Sequence, residues 1–307
     1  MVERLVANEK VEGSTPFARS IINTLNMILW ISSYPKSGNT YIRSFLASYY
    51  FTKKGKFDFN LLMKLPQFPS TRFTKRDSLS FIEAAQNWIP NQDFFFDKRK
   101  FFFLKTHNSL NKYYGHDFTT SDQTVGAIYI VRDPRNIILS MCNHYSFSID
   151  YALEKMLNKN ASLLHKAANG DCSNFTYLGS WDQHYKSWKE NKKFKILFVK
   201  YEDLRDNKIE IFKKIIDFVN QFQGSTKTID EKKFLNSVNS TNFVNLKNKE
   251  INEGFEESTI SSKGDKINFF NLGFKNKWEK ILPKEIVLKI NNFFEKELIE
   301  LGYLKNE

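Results

Sequence analysis

A lysine in a short turn between two apolar segments is the first group in this sequence whose position suggests chemistry. The apolar run Met27 to Ile31 has the length of a β-strand, and the chain turns after it at Tyr34-Pro35. A Lys-Ser-Gly turn follows at 36–38, and Tyr41 to Tyr50 carries apolar residues at helical spacing. The N–H groups at the start of such a helix and the lysine charge together attract a phosphate-like anion. We therefore predict an anion site at residues 36–41.

Two common nucleotide-binding motifs are excluded. The turn is not a Walker loop, because the upstream glycine of that loop is missing before Lys36. A GxGxxG dinucleotide fingerprint cannot occur, since no two glycines of the chain are fewer than nine positions apart. The alternative to an anion site is an ordinary strand-to-helix turn with a solvated lysine.

A histidine follows a second apolar segment. Phe101 to Leu104 predicts a strand, and Lys105-Thr106-His107 comes at its end. Residues at the carboxyl ends of parallel strands lie where α/β proteins bind their ligands. Because an imidazole titrates near neutral pH, His107 could take the proton of an attacking hydroxyl group. The alternative is a hydrogen-bonded surface histidine without a catalytic role.

An arginine ends a third apolar segment, Ala127 to Val131. Arg132 is followed by Asp133-Pro134, a signal for the start of a helix, and Ser140 lies two turns into that helix. A guanidinium group can bind a phosphate through two parallel hydrogen bonds, which a lysine cannot reproduce. We predict that Arg132 and Ser140 bind a phosphate. The alternative is that Arg132 pairs with Asp133 as a helix cap.

These segments together resemble the motifs of sulfotransferases that use 3′-phosphoadenosine 5′-phosphosulfate (PAPS). The specific matches are Tyr34-Pro-Lys-Ser-Gly-Asn-Thr40, Leu104-Lys-Thr-His-Asn108 and the segment 127–135. The segments 179–204 and 241–246 are similar to later parts of the family pattern. The resemblance extends from Met27 to about Trp278.

The resemblance implies a role for each matched residue. His107 would be the general base, and Lys36 and Lys105 would be the catalytic cations that neutralise charge at the reacting sulfonate. Arg132 and Ser140 would select the 3′-phosphate of the donor, and no divalent metal would be required. The implied donor-binding residues are Lys36, Ser37, Gly38, Asn39, Thr40, Tyr41, Arg132, Ser140, Tyr201, Thr241, Phe243 and Gly273.

The sequence departs from the family pattern near its C-terminal end. Where the family often has Arg-Lys-Gly as a second clamp on the 3′-phosphate, this chain has Asn271-Leu272-Gly273, and Trp278 keeps the later tryptophan. Because the Arg-Lys pair is missing, a second clamp on the 3′-phosphate would need nearby lysines in its place. The candidates are Lys263, Lys266, Lys275 and Lys277.

Composition predicts a globular protein with a basic surface. The 307 residues include 30 phenylalanines and are 41% hydrophobic, which is ample for a packed core. The formal net charge of +12 either reflects a solvated surface or attracts a polyanionic donor. Two cysteines without CxxC spacing predict free thiols and a cytoplasmic protein. The absence of an HExxH pattern, of an apolar run of about 20 residues and of an apolar signal segment predicts no metal site, no membrane span and no signal peptide.

Strand and helix patterns alternate from Met27 onward, which predicts an α/β fold with a mainly parallel central sheet flanked by helices on both faces, of P-loop-nucleotide-hydrolase-like architecture. The predicted strands are 27–32, 101–105, 126–131 and 195–199, and the predicted helices are 40–50, 135–147, 181–189, 209–222 and 284–301. We expect acceptor-binding loops in 51–100 and 159–175, and a mobile segment at 247–268.

The first 26 residues differ from the rest of the chain. Glu12 to Phe17 can be encoded by a sequence that contains the T-arm of a bacterial tRNA gene. We therefore expect residues 1–26 to be a non-native or disordered leader, Met27 to be the start, and 27–307 to be a single sulfotransferase domain. The alternative is a genuine flexible leader.

The most specific interpretation is an enzyme that transfers a sulfuryl group from PAPS to a hydroxyl or amine of an unidentified acceptor, which would be a small molecule, a glycan or a lipid. One alternative is a P-loop-like nucleotide or sugar kinase, which needs a Walker glycine and a magnesium-binding aspartate. Another is a non-catalytic binder of anionic glycans or nucleic acid. The lysines are spread along the whole chain, which disfavours a nucleic-acid patch.

Overall fold

The computed structural model of the protein describes residues 27–95, 101–164, 167–223, 228–261 and 264–306, so the predicted leader lies outside the described residues. The strands are β1 (Met27–Ser33), β2 (Phe101–Thr106), β3 (Thr124–Val131), β4 (Ser162–Leu163), β5 (Thr176–Tyr177), β6 (Lys195–Lys200), β7 (Thr259–Ile260) and β8 (Lys266–Ile267). The α-helices are α1 (Asn39–Phe51), α2 (Phe81–Gln86), α3 (Trp88–Phe95), α4 (Pro134–Tyr145), α5 (Ile149–Leu157), α6 (Trp181–Lys189), α7 (Asp203–Asp206), α8 (Lys208–Gln223), α9 (Glu231–Ser240), α10 (Phe243–Glu253), α11 (Lys284–Phe293) and α12 (Glu295–Glu300). Four short 3₁₀ turns are Phe59–Lys64, Thr71–Phe73, Gly273–Lys275 and Trp278–Lys280.

A parallel sheet of four strands, in the order β2-β1-β3-β6, forms the centre. Strand β1 lies inside it and pairs with β2 from Met27 to Ser32 and with β3 on its other side. Every β1 side chain from Ile28 to Ser33 is buried, as expected for a parallel strand that is covered on both faces. The predicted α/β fold with a mainly parallel sheet is confirmed.

The sheet separates two hydrophobic clusters. Successive residues of β1 point to opposite faces, so that Trp30 packs in one cluster with Trp181, while Ile31 packs in the other with Phe45 and Phe212. The rings of Phe45 and Phe212 stack with their centroids 3.9 Å apart. Helices α1 and α8 therefore cover one face, and α4, α6 and α11 cover the other.

The predicted strands are confirmed, and β3 begins two residues before its predicted start. Four predicted helices correspond to α1, α4, α6 and α8. The predicted helix 284–301 is wrong in one respect: it is divided into α11 and α12 at Phe294, which leaves helical geometry and buries its ring. Helices α2, α3, α5, α7, α9 and α10 were not predicted from the sequence. Helix α10 shows why, because it buries only Leu246 and Glu250, and such a narrow stripe gives little apolar periodicity.

Helix α4 begins directly after β3 with a charged cap. The Asp133 carboxylate accepts a hydrogen bond from the Arg135 backbone N–H at 2.9 Å and pairs with its guanidinium at 2.7 Å. Both side chains are buried, and Arg135 also lies 4.1 Å from the ring centroid of Trp278. Asp133 thus caps the helix, and its ion-pair partner is Arg135 and not Arg132, which leaves Arg132 for another role. None of the described helices is long and apolar enough to cross a membrane.

The buried cap pair predicts an effect on stability. Asp133→Asn should keep the cap but lower the free energy of unfolding by about 3 kcal/mol, because breaking a buried ion pair from one side leaves an uncompensated charge on Arg135. Urea unfolding followed by circular dichroism measures this change. Asp206→Asn is the matched control, since the Arg205–Asp206 pair is exposed, and it should leave the unfolding midpoint unchanged. Equal midpoint shifts in the two variants would contradict the assignment.

Candidate active site

A cavity of about 690 Å³ lies at the carboxyl ends of the four central strands. The chain contributes to its wall directly after each strand: Lys36 after β1, His107 after β2, Arg132 after β3 and Tyr201 after β6. This is the edge at which open parallel sheets bind ligands. Twelve predicted site residues line it: Lys36, Gly38, Asn39, Thr40, Tyr41, Lys105, His107, Arg132, Ser140, Tyr201, Phe243 and Gly273.

Two predicted donor-binding residues lie outside this wall. Thr241 is fully buried between α9 and α10, and its hydroxyl donates to the Ser237 carbonyl at 2.7 Å. Its hydroxyl therefore closes helix α9, and Thr241 is not among the residues that line the cavity. The Ser37 side chain also does not line the cavity, although its hydroxyl is buried without a hydrogen-bond partner among the described residues.

The turn between β1 and α1 is tightly constrained. Lys36 has a φ of 65° and Gly38 a φ of 98°, so both residues lie in the left-handed region. A side chain at Gly38 would clash with the ring of Tyr201. A glycine is therefore favoured at this position both by the left-handed backbone and by the lack of space for a side chain. The left-handed conformation costs a lysine about 1–3 kcal/mol, as is common where function fixes the backbone.

The Lys36 side chain is held in an apolar setting. Its Nζ lies 3.9 Å from the ring centroid of Phe269 and donates no hydrogen bond to any described residue. Burial lowers the Lys36 pKa to about 7, an effect that nearby Glu257 counters only in part. A buried cation with open donors is suited to bind an anion, because an unpaired buried charge is costly.

Arg132 joins two walls of the cavity. Its Nη1 donates to the Lys36 carbonyl at 2.8 Å, and its guanidinium carbon lies 4.4 Å from the ring centroid of Tyr201. These two contacts fix the guanidinium plane, while the buried Nε has no partner in the described part of the chain. Ser140, on α4, lines the same cavity. The two residues predicted to read one phosphate therefore face one space.

His107 is oriented by its neighbours. Its Nδ1 lies 2.7 Å from the Ser33 carbonyl oxygen, and because a carbonyl only accepts, this nitrogen carries the proton. The other ring nitrogen, Nε2, is then unprotonated and can accept a proton. Burial, together with the charge of Lys105, lowers the pKa of His107 well below its ordinary value, so the imidazole is neutral at neutral pH.

A second histidine, His184, holds the backbone of His107, and it was not predicted from the sequence as a site residue. His184, on α6, is fully buried and its Nε2 donates to the His107 carbonyl at 3.0 Å. The Tyr129 hydroxyl completes the chain by donating to His184 Nδ1 at 2.8 Å. Burial lowers the His184 pKa to about 4, which keeps it neutral. The segment 179–204 was noted only for its likeness to the family, and no local pattern marks the contact.

A carboxylate among the cations was also missed. Glu257 accepts hydrogen bonds from the Thr40 hydroxyl at 2.7 Å and from Arg43 Nη1 at 2.8 Å, and Lys105 Nζ lies 3.5 Å away. Burial would raise the pKa of Glu257, but Lys105 and Arg43 outweigh it and hold the pKa well below its ordinary value. Glu257 comes from the segment 247–268, which was expected to be mobile; here it provides part of the cavity wall.

The residues that replace the expected Arg-Lys clamp make amide hydrogen bonds. Asn271 donates to the Asn143 side chain at 2.8 Å, and Asn276 donates to the Asn136 carbonyl at 3.1 Å. Of the four candidate replacements, Lys266, Lys275 and Lys277 do not line the cavity, and Lys263 lies outside the described residues. Another lysine, Lys247, donates to the Asn271 carbonyl at 2.9 Å.

Part of the cavity lining is apolar. Ile149, Leu163 and Leu164 line it together with Tyr145. Two of these residues belong to the segment 159–175, in which acceptor-binding loops were expected, and Gln67 is contributed by the segment 51–100. The cavity therefore combines cations, His107 and apolar side chains in one lining.

The sulfotransferase domain family model matches residues 28–302. Cytosolic sulfotransferase 17 of Arabidopsis thaliana is 24% identical over 288 residues, covering 91% of this chain and 76% of that protein. Sulfotransferase 1A1 of Rattus norvegicus is 27% identical over 240 residues, or 75% of this chain and 72% of that protein. The chain therefore belongs to the sulfotransferase domain family, as its motifs predict, and it is a transferase of sulfuryl groups.

Solved structures show the same fold. Mouse sulfotransferase SULT7A1, solved in complex with PAP, superposes with a TM-score of 0.53 at 18% identity and covers 90% of this chain and 87% of its own. Retinol dehydratase, solved with retinol and PAP, superposes with a TM-score of 0.55 at 17% identity and covers 92% and 86%. The predicted P-loop-like α/β architecture is confirmed.

Proposed function

We propose that the cavity binds PAPS and that His107 transfers the proton when an acceptor hydroxyl takes the sulfuryl group. One observation carries this proposal: cations from β1, β2 and β3 and a neutral histidine surround a single cavity at one edge of the sheet. Buried donors without partners, on Lys36 and Arg132, fit the several anionic groups of such a molecule. The PAP in both related structures supports the same donor class.

His107 acts on the acceptor through Nε2. As the acceptor oxygen forms its bond to sulfur, Nε2 takes the hydroxyl proton, and the bond between sulfur and the bridging oxygen of the 5′-phosphate breaks. The products are the sulfated acceptor and adenosine 3′,5′-bisphosphate (PAP). Ser33 holds the imidazole in the required tautomer, and His184 holds its backbone carbonyl.

The cations stabilise charge and select the donor. Lys36 is placed to neutralise the charge that develops on the bridging oxygen, and Lys105 and the N–H groups at the start of α1 would hold the sulfonate and 5′-phosphate. Arg132 and Ser140 would bind the 3′-phosphate. The adenine would lie among the rings of Tyr41, Tyr201 and Phe243, and a glycine is needed at 273 because a side chain there would clash with the Phe243 ring.

The acceptor is a molecule with an apolar body and a reactive hydroxyl. The apolar lining residues Ile149, Leu163 and Leu164 would bind the body, and His107 would meet the hydroxyl. We place the activity in the cytoplasm, which is supported by the relatives' description as cytosolic sulfotransferases and by the two cysteines, Cys142 and Cys172, which are both free. A single domain over 27–307 is part of the same proposal.

The role of His107 is tested by removal of its side chain. His107→Ala should lower turnover by about 10²–10⁴-fold, the usual contribution of a general base, while the affinity for PAP stays nearly unchanged. Turnover is measured with ³⁵S-labelled PAPS and an acceptor found by screening a panel of phenols and alcohols. His116→Ala is the matched control, because His116 does not line the cavity. Full turnover of His107→Ala would refute the assignment.

The depressed pKa of Lys36 predicts proton uptake on donor binding. With a pKa of about 7, Lys36 is mostly neutral at pH 8, and a bound anion raises this pKa, so binding should take up close to one proton at pH 8 and far less at pH 6. Calorimetric titration of PAP in two buffers of different ionisation enthalpy measures the uptake.

Lys36→Arg provides the control for this titration, because arginine stays charged in both states and should abolish the uptake at pH 8. If the unmodified protein and Lys36→Arg take up equal numbers of protons, the proton does not go to Lys36.

A further inference from the structure

The carboxylate of Glu257 occupies positions that the proposed function gives to the donor. Thr40 and Lys105 are both among the residues proposed to bind the donor, and Glu257 contacts the Thr40 hydroxyl and the Lys105 ammonium in the structure. A carboxylate and a phosphate oxygen make the same kind of charge-assisted hydrogen bond to these groups. One subsite therefore has two candidate anions, one of which belongs to the chain.

Arg43 is the third member of this subsite, and no motif marked it. Its Nη2 donates to the Leu65 carbonyl at 3.0 Å, which anchors the guanidinium in the 3₁₀ turn region. Its Nη1 is directed to Glu257 at 2.8 Å. With 4% of the residue exposed, Arg43 needs an anion at this position whether or not Glu257 supplies it.

Two residues that follow α10, Glu257 and Phe269, line the cavity. The Glu250 carboxylate anchors this part of the chain, since it accepts hydrogen bonds from the Ser258 hydroxyl and from the backbone N–H groups of Phe269 and Phe270. Beyond this anchor the Phe269 ring covers Lys36 Nζ. The Glu257 side chain is 26% exposed, so solvent reaches its ion pairs and the carboxylate can exchange with a competing anion.

We propose that Thr40, Arg43 and Lys105 form an oxyanion subsite whose internal ligand is Glu257, and that the 5′-phosphate or sulfonate of the donor displaces this carboxylate when it binds. The inference rests on the proposed function. Arg43 is then a donor-binding residue, and Glu257 sets the apparent donor affinity by competition. The alternative is that Glu257 stays in place and supports the cations while the donor binds beside it.

The two accounts predict opposite signs for Glu257→Gln. This variant keeps the size and the hydrogen-bonding groups of the side chain but removes the competing charge. It should bind PAP about tenfold more tightly than the unmodified protein, because the open subsite becomes the more populated state. A supporting role predicts weaker binding, since two buried cations lose their anion. Calorimetric titration at low ionic strength measures the difference.

Two controls separate this inference from the function itself. Glu253→Gln removes a nearby charge that is exposed and does not line the cavity, and it should leave the PAP affinity unchanged. Adenosine 3′-monophosphate lacks a 5′ oxyanion, so Glu257→Gln should not improve its binding. A gain with PAP assigns the subsite to the 5′-phosphate, and a gain with PAPS alone assigns it to the sulfonate. If neither the unmodified protein nor Glu253→Gln binds PAP, the proposed function fails.

Hydrogen exchange of the unmodified protein gives a second measurement if Glu257→Gln does not fold. Saturating PAP should change the exchange rate of backbone amides in residues 254–261, and adenosine 3′-monophosphate should not. Unchanged exchange with both PAP and PAPS, or weaker binding of both by a folded Glu257→Gln, would overturn the displacement.

Discussion

Burial of positive charge at one edge of a parallel sheet is the constraint on which the other features of this site depend. Lys36, Lys105 and Arg132 face one cavity, and Arg43 reaches it through Glu257. Like charges in a partly desolvated space repel one another strongly and destabilise the folded protein unless an anion is present. Glu257 supplies that charge in this structure, and the polyanionic donor would supply more of it. The lowered Lys36 pKa is a consequence of the same burial.

The fold holds these charges together despite their repulsion. Lys36, Lys105 and Arg132 lie at or just past the carboxyl ends of strands in a sheet whose two faces are packed with aromatic and aliphatic side chains, so that hydrophobic burial offsets the electrostatic cost. Local geometry then sets their directions: the left-handed Lys36 turns the chain into α1, and Gly38 lets the Tyr201 ring approach it. Arg132 links the two sides through the Lys36 carbonyl. A kinase would need a free aspartate for magnesium at such a strand end, whereas Asp133 is paired with Arg135.

The sequence predicted what depends on contiguous residues. Strand, turn and helix at 27–50 are visible as an apolar run, small turn residues and a helical period, and the same holds for the segments that carry His107 and Arg132. Glu257 and His184 could not be found this way, because their partners are 217 and 77 positions away in the chain. A motif match predicts Thr241 at the donor, and in the structure its hydroxyl bonds a carbonyl at the end of α9.

The most direct test of the account is a calorimetric titration of the unmodified protein with PAP and with ATP, each with EDTA and with Mg²⁺. We predict that PAP binds without Mg²⁺ and at least about tenfold more tightly than ATP, since charge-assisted hydrogen bonds to the 3′-phosphate contribute about 1.5–3 kcal/mol each. ATP that binds as tightly as PAP, or only in the presence of Mg²⁺, would contradict a site built for PAPS.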